Sequence, residues 1–127
     1  MQLSASMAQS FTLSTSILTN QSARSGGCVG IADMDGDGLD DLILLHQSKT
    51  LSIDYQNADG SFTSYAYGNV SNSSQWGMAV GDVDNDGHKD FVSGGSYDGV
   101  HYKAISARGV SSAWTNLDNG NMFMQCM

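Results

Sequence analysis

The chain has 127 residues, a net charge of −8 and no glutamate, so all thirteen of its acids are aspartate. It offers no basic patch for nucleic acid, and no segment approaches the run of ~20 apolar residues needed to insert in a membrane as a spanning helix. Nine of the thirteen aspartates fall within 33–41 and 82–90, and outside these stretches the charges nearly cancel, so the acidity belongs to two sites.

In chain order, MQLSASMAQS has neither the basic start nor the apolar stretch of a secretory leader. Residues 1–24 read as the end of a preceding repeat, because Ser10-Phe11-Thr12 matches Ser61-Phe62-Thr63 in the next one. The first full repeat is expected over 25–73. Short apolar or β-branched runs bounded by glycine predict strands at about 28–32, 42–46, 50–55 and 62–67. Asp59-Gly60 reads as the hairpin turn before the last of these.

Between the first two strands lies DMDGDGLDD, residues 33–41. Left alone, Asp33, Asp35, Asp37 and Asp41 repel one another, and such crowding costs stability unless a cation sits among them. Side chains at steps 1, 3 and 5 can converge on one ion, the carbonyl of Leu39 at step 7 can add an oxygen, and Gly38 permits the turn that brings Asp41 back. Six to eight oxygens at about 2.3–2.6 Å describe Ca²⁺, whereas Mg²⁺ keeps more of its water. The three histidines and two cysteines show no zinc-ligand spacing. An EF-hand needs an acid at step 12 and flanking helices. Step 12 is Leu44 in this loop and Ser93 in the later one, and the flanks are strand-like.

The pattern returns 49 residues on as DVDNDGHKD, residues 82–90. Asp82, Asp84, Asp86 and Asp90 are the candidate ligands there, with the backbone carbonyl of His88 and a turn at Gly87. Lys89 replaces the spare acid Asp40. The same period relates Asp59-Gly60 to Arg108-Gly109, and Leu51 and Ile53 to Val100 and Tyr102. It also relates Cys28, Gly77 and Cys126, and Cys28 and Cys126, two repeats apart, are not expected to form a disulfide. A second repeat is therefore expected over 74–122, and the start of a further one at 123–127. Four strands in 40–50 residues is the pattern of a propeller blade. The expected fold is all-β: about two and a half four-stranded β-propeller blades, belonging to a larger propeller or completed by copies of the same chain, since such repeats cannot bury their faces alone. Two bound Ca²⁺ would bring the net charge from −8 to −4.

GMAVGDVDNDGHKDFVSGG and, more loosely, CVGIADMDGDGLDDLILLH resemble FG-GAP-type repeats, especially the VCBS-like bacterial branch. Similar repeats build the propeller of integrin α subunits. Trp76-Gly77 and Gly27-Cys28 stand where that family has Phe-Gly, and Gly94-Gly95-Ser96 or Leu45-His46-Gln47 replaces Gly-Ala-Pro, which argues against a close integrin relative. The resemblance implies structural ions that pin a loop at the blade's edge, away from a ligand-binding face.

The expected function is that of a non-catalytic module of a secreted or surface protein, engaged in adhesion or in binding protein or carbohydrate. Trp76, Trp114, Tyr65, Tyr67 and Tyr97 are candidate contact residues, although aromatics in strands more often form core. Loops of this kind suit the millimolar calcium outside cells, so an extracellular or cell-surface setting is expected, with any leader lying upstream. Asn20, Asn69 and Asn72 begin Asn-x-Ser, which matters only in a eukaryotic secreted protein. The alternatives are a purely structural spacer and a metal-assisted hydrolase using Asp40. The hydrolase lacks support from any Gly-x-Ser-x-Gly, paired histidine or phosphate loop.

Overall fold

Alternating apolar side chains and tight glycine turns lead this sequence into antiparallel sheet. The computed structural model describes residues 12–13, 16–17, 28–46, 49–95 and 99–118. Most of the expected 1–24 segment, the 123–127 start of a further repeat, Cys126 and Tyr97 lie outside the described residues.

The first sheet contains β1 (Cys28–Ala32), β2 (Asp41–Leu45), β3 (Thr50–Gln56) and β4 (Phe62–Asn69), hydrogen-bonded in that order. Each pairing is antiparallel: Ala32 faces Asp41, Ile43 faces Ile53, and Ile53 faces Tyr65. The turn at Asp59-Gly60 forms as expected. Gly60 N donates to Asn57 O at 2.8 Å, Gly60 adopts φ +82°, and Asn57 N donates to Ser61 O.

The second sheet also has four strands and begins the same way, with β5 (Gln75–Gly81), β6 (Asp90–Gly95) and β7 (Val100–Lys103), but it reaches its outer strand differently. Residues that would lead directly to the outer strand instead form a separate hairpin, β8 (Ile105–Ala107) and β9 (Val110–Ser111), with Arg108-Gly109 at its tip. The hairpin is tied at its base by Ser112 N donating to Ala104 O at 2.9 Å. The outer strand is reduced to β10 (Thr115–Asn116). Thr115 faces Tyr102, whereas the 49-residue period would put Trp114 there. A slip of one residue exchanges the two faces of a strand, and Trp114 packs edge-on against His101, ring centroids 5.1 Å apart.

The core lies between the sheets. Ile43, Leu45, Leu51, Ile53 and Tyr55 of β2 and β3 are buried together with Phe91 of β6 and Ile105 of β8, and Met78 and Val80 of β5 pack against them. A Cβ on Gly30 would sit 2.2 Å from Met78 Cε, so a residue without a side chain lets β1 approach β5. At the outer end, Tyr55 and Tyr67 share a 2.6 Å hydrogen bond, and Gly109 N donates to the Tyr67 hydroxyl at 2.9 Å. Tyr65 meets Tyr55 edge to face. The tip of the β8–β9 hairpin is thus seated on aromatics of the first sheet.

Gly60 and Gly109 separate turn strain from inter-sheet contact. Both have left-handed φ, but a Cβ at Gly60 meets nothing within 4 Å, while one at Gly109 falls 2.8 Å from Tyr65 Cδ1. Gly60→Ala is expected to cost about 1 kcal/mol, the left-handed penalty alone. Gly109→Ala is expected to cost roughly 2 kcal/mol or more in thermal unfolding, because Tyr65 must also move.

Candidate metal centre

Each acidic loop leaves the end of the first strand of its sheet and returns at the second. The turns need left-handed residues at two steps. The first loop uses Gly36 at φ +78° and Gly38 at +86°; the second uses Asn85 at +60° and Gly87 at +91°. Asparagine is among the few residues with a side chain that visit this region readily. The two loops therefore share a backbone path despite the different residue at step 4.

That path folds the carboxylates inward over backbone N–H groups. Asp33 accepts from Gly36 N at 2.7 Å and from Gly38 N at 3.0 Å. Asp82 accepts from Asp86 N and Gly87 N, both at 3.0 Å. Leu39 N donates to Asp37 Oδ1 at 2.9 Å, and His88 N to Asp86 Oδ1 at 2.8 Å. Burial works against the charge on Asp33, but the bonds from Gly38 and Gly36, aided by the Lys89 charge, hold its carboxyl below the ordinary value.

The structure brings together Asp33, Asp35 and Asp37 in one loop and Asp82, Asp84 and Asp86 in the other. Each residue offers a carboxylate oxygen within 4.8 Å of the others. Oxygens bound to one Ca²⁺ at about 2.3–2.6 Å can be no more than about 5 Å apart, so the donor set and its spread both fit calcium. Asp40 and His88 are exposed, and Leu39 is half-buried.

The step-9 acids are not members of these triads. Asp41 and Asp90 are completely buried. Asp41 accepts from Met34 N at 2.8 Å through one oxygen and from Gln56 N at 2.9 Å through the other. Asp90 accepts from Val83 N at 2.8 Å and Ile105 N at 3.2 Å. Each carboxylate therefore joins the start of its loop to the end of the third strand or the residues beyond it. Burial pushes the Asp41 carboxyl above its usual range, against the pull of those two bonds.

Three neighbours of the triads went unassigned from sequence. Arg108 donates to Asp35 through Nε and to Asp37 Oδ2 at 3.0 Å, and the Lys89 ammonium donates to Asp33 O. In the second loop the Tyr102 hydroxyl donates to Asp84 Oδ2 at 2.7 Å. Burial, followed by this bond to a carboxylate, raises the Tyr102 pKa. The signal for Arg108 lay in the repeat itself: at a tip where one unit has Asp59-Gly60, the next has Arg108-Gly109.

The fastening role of the buried acids can be tested apart from the triads. Asp90→Asn, which sets an amide NH₂ against a buried N–H donor, is expected to cost about 2–4 kcal/mol in chelator. Asp84→Asn, on an exposed residue whose Tyr102 partner can reverse its hydroxyl, is expected to change stability in chelator by less than about 0.5 kcal/mol. Paired chemical melts of the two variants check this. An Asp90→Asn protein as stable as the parent would remove the fastening role.

Residues 33–93, from the first acid of the first loop into β6, match the family model described as an FG-GAP-like repeat. No curated protein and no solved structure matches the chain. Over residues 33–93, and as the two acidic loops implied, the chain is similar to the FG-GAP-like repeat family.

Proposed function

We propose that the chain is a non-catalytic, calcium-binding repeat module of a β-propeller, in which one Ca²⁺ per sheet braces the loop between the first two strands. One observation carries this reading: two acidic triads of the same construction occupy the same place in successive sheets. Asp33, Asp35 and Asp37 would hold one ion, and Asp82, Asp84 and Asp86 the other, with the carbonyls of Leu39 and His88 as further donors. Bound calcium would supply the charge compensation that the second loop, with all three acids exposed, otherwise draws from water and backbone dipoles. A secreted or surface setting follows from the calcium levels such loops require. Further blades, from the same polypeptide or from other copies, would cover the remaining sheet faces.

Within that setting, the module's role is adhesion or the binding of protein or carbohydrate. Trp76 at the start of β5 is 37% exposed and is, among the described residues, the most exposed aromatic. A second reading, that these sheets serve as structural spacers, is favoured by the placement of the others. Tyr65 and Tyr67 pack at the inter-sheet joint, and Trp114 lies against His101.

Thermal melts in excess chelator, in millimolar Ca²⁺ and in millimolar Mg²⁺ test the calcium reading. Binding to the folded state alone adds about 2.7 kcal/mol per site at a free ion concentration 100 times Kd. The expected outcome is a Tm raised well beyond the Mg²⁺ control, with Asp84→Asn losing roughly half of the gain. A folded protein whose Tm ignores calcium would make both loops ordinary turns.

A further inference from the structure

The two triads are alike in backbone but not in surroundings. The guanidinium of Arg108, carried on the tip of the β8–β9 hairpin, reaches across the inter-sheet joint into the first loop. Nε donates to Asp35 Oδ2 and NH2 to Asp37 Oδ2 at 3.0 Å. The same group donates to Asn57 Oδ1 at 3.1 Å and Gln56 O at 3.3 Å, and its carbon lies 5.0 Å from the Tyr55 ring centroid. Its side chain is only 28% exposed. In the second loop the corresponding acid, Asp84, meets the neutral Tyr102 hydroxyl instead. Among the described residues, no cationic side chain is bonded to the second triad.

A positive fork already occupies one oxygen on each of two acids that calcium would use. Like charges oppose one another at this range, and the guanidinium's bonds must be loosened or shared before the ion is fully coordinated. We propose that Arg108 is an internal competitor for calcium at the first loop, making that site the weaker of the two and linking its occupancy to the seating of the second sheet. This rests on the calcium reading above. When the first loop is empty, Arg108 spans the joint and holds Asp35 and Asp37. When calcium enters, the hairpin tip loses part of its anchorage. By linkage the effect is reciprocal: a firmly seated hairpin disfavours the ion to the same degree. Arg108 is thus a positioning residue that tunes affinity and is not a ligand.

The test is calorimetric titration of the full chain with CaCl₂, on the parent, Arg108→Gln and Asp84→Asn. The parent is expected to bind in two steps of unequal affinity, and Asp84→Asn to retain the weaker one. Arg108→Gln should tighten that weaker step by roughly fivefold, the scale of one partly exposed ion pair, and leave the stronger step unchanged. In chelator the same variant should melt below the parent, because the clamp is lost. Opposite signs in the two readouts distinguish competition from simple support of the loop. An unchanged or loosened weaker step in Arg108→Gln overturns the inference while leaving the calcium sites standing. No calcium uptake by the parent overturns the calcium reading, and the inference with it. If Arg108→Gln does not fold in chelator, Arg108→Met decides: it keeps the apolar stem and removes the charge, and a weaker step identical to the parent's would overturn the proposal.

Discussion

The two buried carboxylates at the ends of the acidic loops hold this arrangement together. A fully buried aspartate is costly unless both oxygens are satisfied, and in Asp41 and Asp90 both are, by backbone donors from two separate parts of the chain. Each fixes where its loop begins relative to strands already paired in the sheet. The triads then need no long-range contacts of their own to hold their shape, because Asp33 and Asp82 gather the turns through local N–H bonds. The loops are thus shaped from below by buried acids and from within by the acids of the triads. The same residue type serves in both places, with environment deciding the role.

Between the sheets the joint has two different ends. Near β1 and β5 the contact is close and apolar, made possible by Gly30 beneath Met78. At the hairpin it is polar and aromatic, with Tyr55, Tyr67 and Gly109 linked through hydroxyl hydrogen bonds and Arg108 lying over the Tyr55 ring. The apolar end supplies non-directional burial, and the polar end sets register. The separate hairpin between β7 and β10 changes what the first sheet's loop encounters.

Much of this was legible in the sequence because it is local. Strand positions follow from short apolar runs, and β1 to β4 fall within two residues of their expected bounds. The all-β class and the FG-GAP resemblance, confirmed by the match over 33–93, rest on a nine-residue pattern seen twice. The period placed the tip of the 105–111 hairpin at Arg108-Gly109, but its separation into a sheet of its own was not legible, since two-residue strands leave almost no pattern. The partners of Asp41 and Asp90 were also hidden. Step 9 of an acidic loop looks the same in sequence whether its side chain turns toward an ion or toward buried amides. Arg108 and Lys89 reach the first loop from 50 residues or more away, and only the packing of the two sheets shows what they touch.

Asn85 carries a consequence for how such loops vary. It stands in the left-handed position that Gly36 occupies in the sister loop, at φ +60° against +78°. The requirement at that step is therefore a backbone sign, not an amino acid. A pattern that demands glycine there would pass over the second loop, although the two have the same fold. A pattern written in conformations, admitting glycine, asparagine and aspartate alike, would keep both. The vocabulary of these loops is wider than their consensus spelling, and divergent copies are best found by the turns they make.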